Sequence, residues 1–460
     1  MALVAGVDSS TQSVKVVVRD ADSGALIRES RAPHPEGTSV DPREWWTALN
    51  TALDGMLDDV SAIAVAGQQH GMVALDAAGE PVRDALLWND TRSAGAADDL
   101  VREWGGPHAW ADAVGSVPVA AFTVSKARWL AQHEPENAAR AESMMLPHDY
   151  LTWRLAGCPE VATTDRGDVS GTGYWSPATG EYRGDLFELA FGRRLRLPRV
   201  AAPAEIVGET ASGIAIAPGT GDNMGAALAL ELAPGDVVVS LGTSGTAFAC
   251  SSVPSADASG AVAGFADATG RFLPLVCTLN AARILTSTAA MLGVGVDKLA
   301  ELALSAPPGS GGLVLLPYFD GERTPNLPEA TGSLHGITRA NYTPANIARS
   351  AYEGMLCGLA DAVDALVHVG VTPGRIMLVG GAAANMAVAR IATTLFDAPI
   401  EIPTPGEYVA DGAARQAAWA FSGASAAPAW GLGASGSCFE PARVSAVRDA
   451  YSAARDLVAQ

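Results

Sequence analysis

The sequence predicts an α/β protein made of two similar domains. A strand, a short polar turn and a second strand open the chain at residues 3–19, and the same unit recurs about half a chain-length on, at 236–250. Around 214–228 and again around 375–395, a strand runs through a glycine turn into a helix, the punctuation of a sheet with helices packed on it. Size agrees: 460 residues, 48% hydrophobic and 17% charged, can bury a large core and exceed the usual length of one domain.

The opening strands are predicted at Leu3 to Val7 and Val14 to Arg19, joined by Asp8-Ser-Ser-Thr-Gln-Ser13. Asp41-Pro42 then supplies an N-cap and a first-turn proline, with Glu44 at the capping-box position, and Trp45, Leu49, Leu53 and Met56 line one helical face. Val60 to Ala66 is a short apolar strand ending in Gly67-Gln-Gln-His-Gly71, so its polar residues emerge at a carboxyl end, where ligands of open α/β sheets gather. From 157 to 218 the chain is rich in Gly, Pro and Thr, and periodicity assigns little there. Ile214 to Ala217 reads as a strand; after Gly219-Thr-Gly221 a helix runs through Met224, Ala227 and Leu228, which puts Asp222 at its N-cap.

The second half repeats the plan. Asp236-Val-Val-Val-Ser240, the turn Leu241 to Gly245, and Thr246 to Cys250 make the second hairpin. Thr343-Pro344 caps a long helix with the stripe Ile347, Ala351, Met355, Leu359 and Val363, stopped by Gly370. A strand at Arg375 to Val379 leads into Gly380-Gly-Ala-Ala-Ala-Asn385 and a helix bearing Val388, Ile391 and Leu395. The last 40 residues, rich in small side chains, read as a loosely packed insertion before a final helix near Ala446 to Val458.

Composition narrows the function classes. A formal net charge of −20 opposes broad contact with nucleic acid or an anionic membrane, both of which need a basic face. Apolar runs all fall short of the roughly 18 residues that cross a bilayer. The N-terminus meets Asp8 without a basic flank and reads as a strand, not a secretory signal, so the cytoplasm is expected. Five cysteines without a Cys-x-x-Cys pair point to buried thiols instead of a disulfide framework or zinc site.

The turns carry the chemistry. Asp8 to Lys15 and Leu241 to Gly245 present hydroxyls and backbone N–H groups without bulk, as phosphate oxygens require, and Lys15 adds a cation; ordinary hairpin turns use the same residues. The Gly380-Gly381 pair lets a purine lie against the backbone or serves plain helix–strand packing. The chain has no Gly-x-x-x-x-Gly-Lys-Ser/Thr loop, which argues against a Walker-type fold. Phosphoryl transfer needs an aligned hydroxyl, a base and charge-absorbing groups. Asp222 is the candidate base, its flanking glycines leaving room for a substrate and the helix behind it favouring negative charge; its other reading is an N-cap worth about 1 kcal/mol. Asp8, and with it Asp222, is a candidate to hold Mg²⁺, since Mg²⁺ bound with phosphates uses one or two carboxylates; capping a turn is the alternative for Asp8.

On these residues the chain resembles the FGGY carbohydrate kinases of the actin-like ATPase superfamily, over nearly its whole length. Gly332-Ser-Leu334-His-Gly336-Ile337 with Asn346-Ile347 and Ser350-Ala-Tyr352-Glu353 is similar to the family's C-terminal signature. Phe122-Thr-Val-Ser-Lys126-Ala-Arg-Trp129-Leu130 is similar to the N-terminal one, except that Ala127 replaces a bulky apolar residue. Gly67 to Gly71, Leu87-Trp88-Asn89-Asp90-Thr-Arg92, Leu146-Pro-His-Asp149-Tyr150-Leu, Gly221-Asp222-Asn223 and Leu316 to Pro325 most resemble the branch that phosphorylates a ketopentose. A segment of that set, Gly321 to Pro325, has no mechanism attached beyond a rigid loop.

The resemblance implies two actin-like (ribonuclease H-like) ATPase domains, 1–222 for the sugar and 230–460 for the nucleotide, with catalysis in an interdomain cleft that closes to exclude water. It implies ATP-dependent, Mg²⁺-assisted phosphorylation of the terminal hydroxyl of D-xylulose, with Asp222 as base. Gln69, His70 and Asn223 would hold sugar hydroxyls, a neutral imidazole being able both to donate and to accept. Thr11, Gly242 and Thr243 would face the phosphates, and Gly381 and Asn385 the adenosine. The expected partners are a small sugar and ATP, with no nucleic acid or membrane and a homodimer as the candidate assembly. The alternatives are a family member acting on ribulose, glycerol or gluconate, and an actin-like ATPase that works by changing shape. In the first phosphate turn Ser10 stands where the family uses glycine; a positive φ there would strain serine by about 1 kcal/mol or more, and the hydroxyl could instead act as a donor.

Overall fold

Strand Leu3–Ser9 is buried along its whole length, as a central strand covered on both faces must be. In this computed structural model, which describes residues 2–458, it lies between Val60–Gly67, parallel, and Ser13–Asp20, antiparallel. The sheet runs Gly208–Glu209, Ala215–Ile216, Val60–Gly67, Leu3–Ser9, Ser13–Asp20, Leu26–Pro33, with Thr220–Gly221 also pairing parallel to Val60–Gly67. Register decides where the chemistry collects. Ser9 and Gly221 both stand opposite Gly67, so three parallel strands end together and release Asp8 to Thr11, Gly67 to Gly71 and Asp222 at one edge.

One face of this sheet takes the Pro42–Leu53 helix through Trp45, Leu49 and Leu53, all buried. Its Asp41 cap accepts from the Arg43 N–H at 2.9 Å, and Met56 packs from the turn beyond the helix. The other face takes the Tyr408–Ser422 helix, whose alanines 410, 413, 414 and 417 meet Val4, Val17, Ala62, Ala64 and Ala66. Gly6 makes this possible: a Cβ there would lie 2.0 Å from the Ala410 carbonyl oxygen.

The chain divides into two compact units that interleave along the sequence. The first takes the residues up to Leu232, Ser252–Leu273 and Gly406–Gly433; the second takes Ala233–Ser251, Pro274–Pro405 and Ala434 onward. Two sequence readings change here. Part of the last 40 residues is firmly packed: Trp430 is buried and donates to the Ala21 carbonyl at 3.1 Å, and a Cβ on Gly433 would sit 2.1 Å from the Leu230 oxygen. The stretch 157–218 holds short strands and the helices Arg166–Val169 and Gly184–Phe191, each too brief to build a period.

In the second unit the strands run Phe272–Thr278, Gly245–Ala249, Asp236–Leu241, Arg375–Val379, Ile400–Pro403 and Ser435–Phe439. Asp236–Leu241 and Arg375–Val379 are parallel with Ser240 opposite Val379, so the turns after both emerge at the same end. The Pro344–His368 helix begins with Thr343 accepting from the Asn346 N–H at 3.3 Å and ends short of Gly370, whose φ is +99°. Ala351, Met355, Leu359 and Val363 are buried as its stripe predicts, and Ile347 is half-buried.

Candidate active site

At the strand edge of the first unit, Asp222 is the first residue of the Asp222–Ala229 helix and Gly221 is its N-cap. This corrects the sequence reading by one position. It also removes the N-cap role, because Asp222 Oδ1 accepts from the Asn223 backbone N–H at 2.7 Å and not from an N–H further into the helix. The Asn223 side chain turns back: its Nδ2 donates to Asp222 Oδ1 at 2.8 Å and to Gln69 Oε1 at 3.0 Å. Three residues singled out from sequence, 154 positions apart at the extremes, therefore form one hydrogen-bonded chain. Burial raises the Asp222 carboxyl to about 7, and the nearby charge of Asp8 pushes the same way. Gln69 is buried with its Nε2 unpartnered, a donor that a polar ligand would satisfy.

His70 has φ +66°, a strained conformation for a residue with a Cβ. Its Nδ1 donates to the Gly171 carbonyl at 2.7 Å, which fixes the ring, and the ring stacks on Phe122 with centroids 4.9 Å apart and tilts against Phe265 at 5.5 Å. That aromatic wall escaped the sequence reading. Phe122 belonged to a recognised motif, but nothing local links Phe265 to His70.

Asp8 is buried, and burial raises it to about 6 despite the Ser10 hydroxyl that donates to it and Lys15 at 3.9 Å. Lys15 is also paired with Glu407, in the segment that joins the unit late in the chain. Ser10 is absent from the residues of positive φ, so the strain considered for it does not arise; its hydroxyl works as a donor to Asp8. Thr11 accepts from Trp88 Nε1 at 2.9 Å.

In the second unit, Gly242 and Thr243 form the turn between antiparallel partners Leu241 and Gly245, and Thr243 is exposed. Gly380, at φ +91°, lies against Leu241, where a Cβ would meet the Leu241 oxygen at 2.9 Å; this brings the Gly380–Asn385 turn beside the Gly242 turn. Nothing stands within 4 Å of the Cβ direction of Gly381. Asn385 accepts from the Ala387 N–H at 2.9 Å and donates to the Tyr352 hydroxyl at 3.0 Å, so it shapes this turn from both sides.

Among the described residues no group of three or more His, Cys, Asp or Glu could hold a metal, and no helix is long and apolar enough to cross a membrane. The charge of Asp8 disfavours ionisation of Asp222, and a divalent cation bound with phosphate oxygens beside the two carboxylates would relieve it.

The N-terminal domain model of the FGGY family of carbohydrate kinases matches residues 3–229, and the C-terminal domain model matches 237–421. The chain is 46% identical over 441 residues to a xylulose kinase of Streptomyces coelicolor, covering 92% of this chain and 89% of that one. It is 44% identical over 437 residues to a xylulose kinase of Streptomyces rubiginosus, covering 92% and 88%. The crystal structure of xylulose kinase from Bifidobacterium adolescentis superposes with a TM-score of 0.93 at 44% identity, covering 99% of both chains. With two domain models spanning most of its length and relatives 44–46% identical over about nine-tenths of it, the chain belongs to the FGGY family of carbohydrate kinases, ATP-dependent phosphotransferases with an alcohol acceptor built on paired actin-like domains.

Proposed function

We propose that this chain transfers the γ-phosphoryl group of ATP to the terminal hydroxyl of D-xylulose, giving D-xylulose 5-phosphate, with Asp222 as general base. The sugar oxygen attacks phosphorus, its proton passes to Asp222, and the bond to the ADP oxygen breaks. What carries the reading is the chain from Asp222 through the Asn223 amide to buried Gln69, a carboxylate held near neutrality beside an unsatisfied donor. Names of the two Streptomyces relatives support the choice of sugar.

Gln69, His70 and Asn223 grip the sugar; the His70 ring is backed by Phe122 and Phe265 and so presents one edge. The unit that residues 1–222 open, which Ser252–Leu273 and Gly406–Gly433 join, serves the sugar, and the unit built from the rest of 230–460 serves the nucleotide. Thr11, Lys15, Gly242 and Thr243 face the phosphates, and Gly381 and Asn385 the adenosine. Asp8, with Asp222, holds Mg²⁺, which when bound draws charge off the moving phosphoryl group. The reaction is placed in the cytoplasm, and a homodimer is the proposed assembly.

The test is ADP release over a panel of D-xylulose, D-ribulose, glycerol and D-gluconate. D-xylulose is expected to give the highest kcat/KM, by tenfold or more, since one hydroxyl met by buried polar groups separates substrates by that much. A higher value for any other member, or ADP release indifferent to all four, contradicts the reading.

A further inference from the structure

Asp222 and His70, which follow different strands, both rest on one short buried turn that the mechanism above does not use. Asp165 starts the turn, capping the Arg166–Val169 helix by accepting from the N–H groups of Gly167 at 2.8 Å and Asp168 at 2.9 Å. Its Oδ2 also takes the Thr220 hydroxyl at 2.7 Å, two residues ahead of Asp222. Where the turn ends, the Gly171 carbonyl receives His70 Nδ1 at 2.7 Å. His148 packs against the turn, with its Nδ1 2.7 Å from Asp168 Oδ2, its Nε2 3.2 Å from Asp149 Oδ1, and its ring and Cβ against Gly219, just before the Thr220–Gly221 strand, and Gly67, at the end of the Val60–Gly67 strand.

The four side chains of this cluster are at most 2% exposed. Three carboxylates and one imidazole taken out of water cost several kcal/mol per ion, and well-packed apolar residues of the same volume would hold a core at least as well. The hydrogen bonds that Asp165 and His148 make within it tie the turn together and join it to Thr220. Resting on the assignment of Asp222 as base, we propose that the Asp165–Gly171 turn is a positioning element of the transfer site: through Thr220 it sets Asp222, and through the Gly171 carbonyl it sets the His70 ring, so that base and sugar grip share one anchor.

Thr220→Val removes the hydroxyl at constant shape, and Thr220→Ser restores it. Both are compared with the parent and with Asp222→Asn for melting temperature, kcat, and KM for D-xylulose. Since a shift of about 1 Å at a reacting group costs up to about a hundredfold, Thr220→Val is expected to lose tenfold or more in kcat while KM for the sugar stays within about threefold, and Thr220→Ser to recover kcat to within about threefold. A folded Thr220→Val within about twofold of the parent in kcat, or a loss that serine does not restore, overturns the proposal. Should Thr220→Val not fold, Thr220→Ala, which only deletes atoms, carries the same comparison. Substantial turnover by Asp222→Asn would instead remove the base assignment on which the proposal rests, and the two failures are told apart by that control.

Discussion

Replacing Gly412 by alanine tests how Asp222 is held. Gly412 lies in the middle of the Tyr408–Ser422 helix, where alanine would ordinarily gain about 1 kcal/mol of helix propensity. Here its Cβ would sit 1.8 Å from the Gly225 oxygen and 2.5 Å from the Gly225 carbon, backbone atoms of the helix that begins at Asp222. That is about 1.6 Å short of ordinary contact, and backbone cannot step aside by changing rotamer. Overpacking of this kind costs about 1–3 kcal/mol, which after the propensity gain leaves a net loss of up to about 2 kcal/mol and lowers the melting temperature by roughly 1–3 °C in a protein of this size. The strain lands three residues from Asp222, so turnover falls by about 10- to 100-fold. Gly184→Ala is the control: nothing lies within 4 Å of the Cβ it would add. Differential scanning fluorimetry and coupled ADP release read the two effects. A Gly412→Ala protein that melts at or above the parent temperature with full turnover would refute the packing argument.

Three more expectations follow from the site. Asp222 must be ionised to accept a proton, and burial raises it to about 7, so kcat/KM is expected to fall about tenfold per pH unit below that value; a profile flat down to pH 5 contradicts the assignment. Burial pulls His148 down, but Asp149 and Asp168 outweigh it and raise the imidazole to about 9. A folded value above the unfolded one stabilises fully below about pH 6.5 and is lost as pH climbs through 9, so chemical denaturation should show parent stability declining over that window and His148→Gln lacking that step. Asn385→Ala removes a cap and the Tyr352 hydrogen bond, and KM for ATP is expected to rise about fivefold with KM for sugar unchanged; the reverse pattern would detach Asn385 from the nucleotide.

The hairpins and glycine turns were legible because strand period and turn chemistry are local. Register then did the rest: once Ser9 and Gly221 both face Gly67, Asp8, Gln69 and Asp222 converge, and each had already stood out in sequence. The Tyr408–Ser422 helix was not legible. Its buried face is mostly alanine and glycine, small enough to meet Gly6 and Gly225 closely but too weak in hydrophobic contrast to mark a stripe. Nor could sequence place it in the first unit, since that pairing spans some 400 residues and is carried by contacts such as Arg19 to Asp411 at 2.7 Å. The buried cluster around His148 was visible only as a motif. Its partners Asp165 and Asp168 lie in the stretch where periodicity failed, and buried carboxylates leave no pattern that distinguishes them from turn residues.

The central claim is that Asp222 takes the proton of the sugar hydroxyl. It is met most directly by kcat for Asp222→Asn at saturating D-xylulose and ATP at pH 8, where the parent carboxylate is ionised. Asparagine keeps the shape and the contact to the Asn223 N–H region while losing the base, so a fall of about 10² or more is expected with the fold intact by its melting curve. Turnover within a few-fold of the parent would contradict the account.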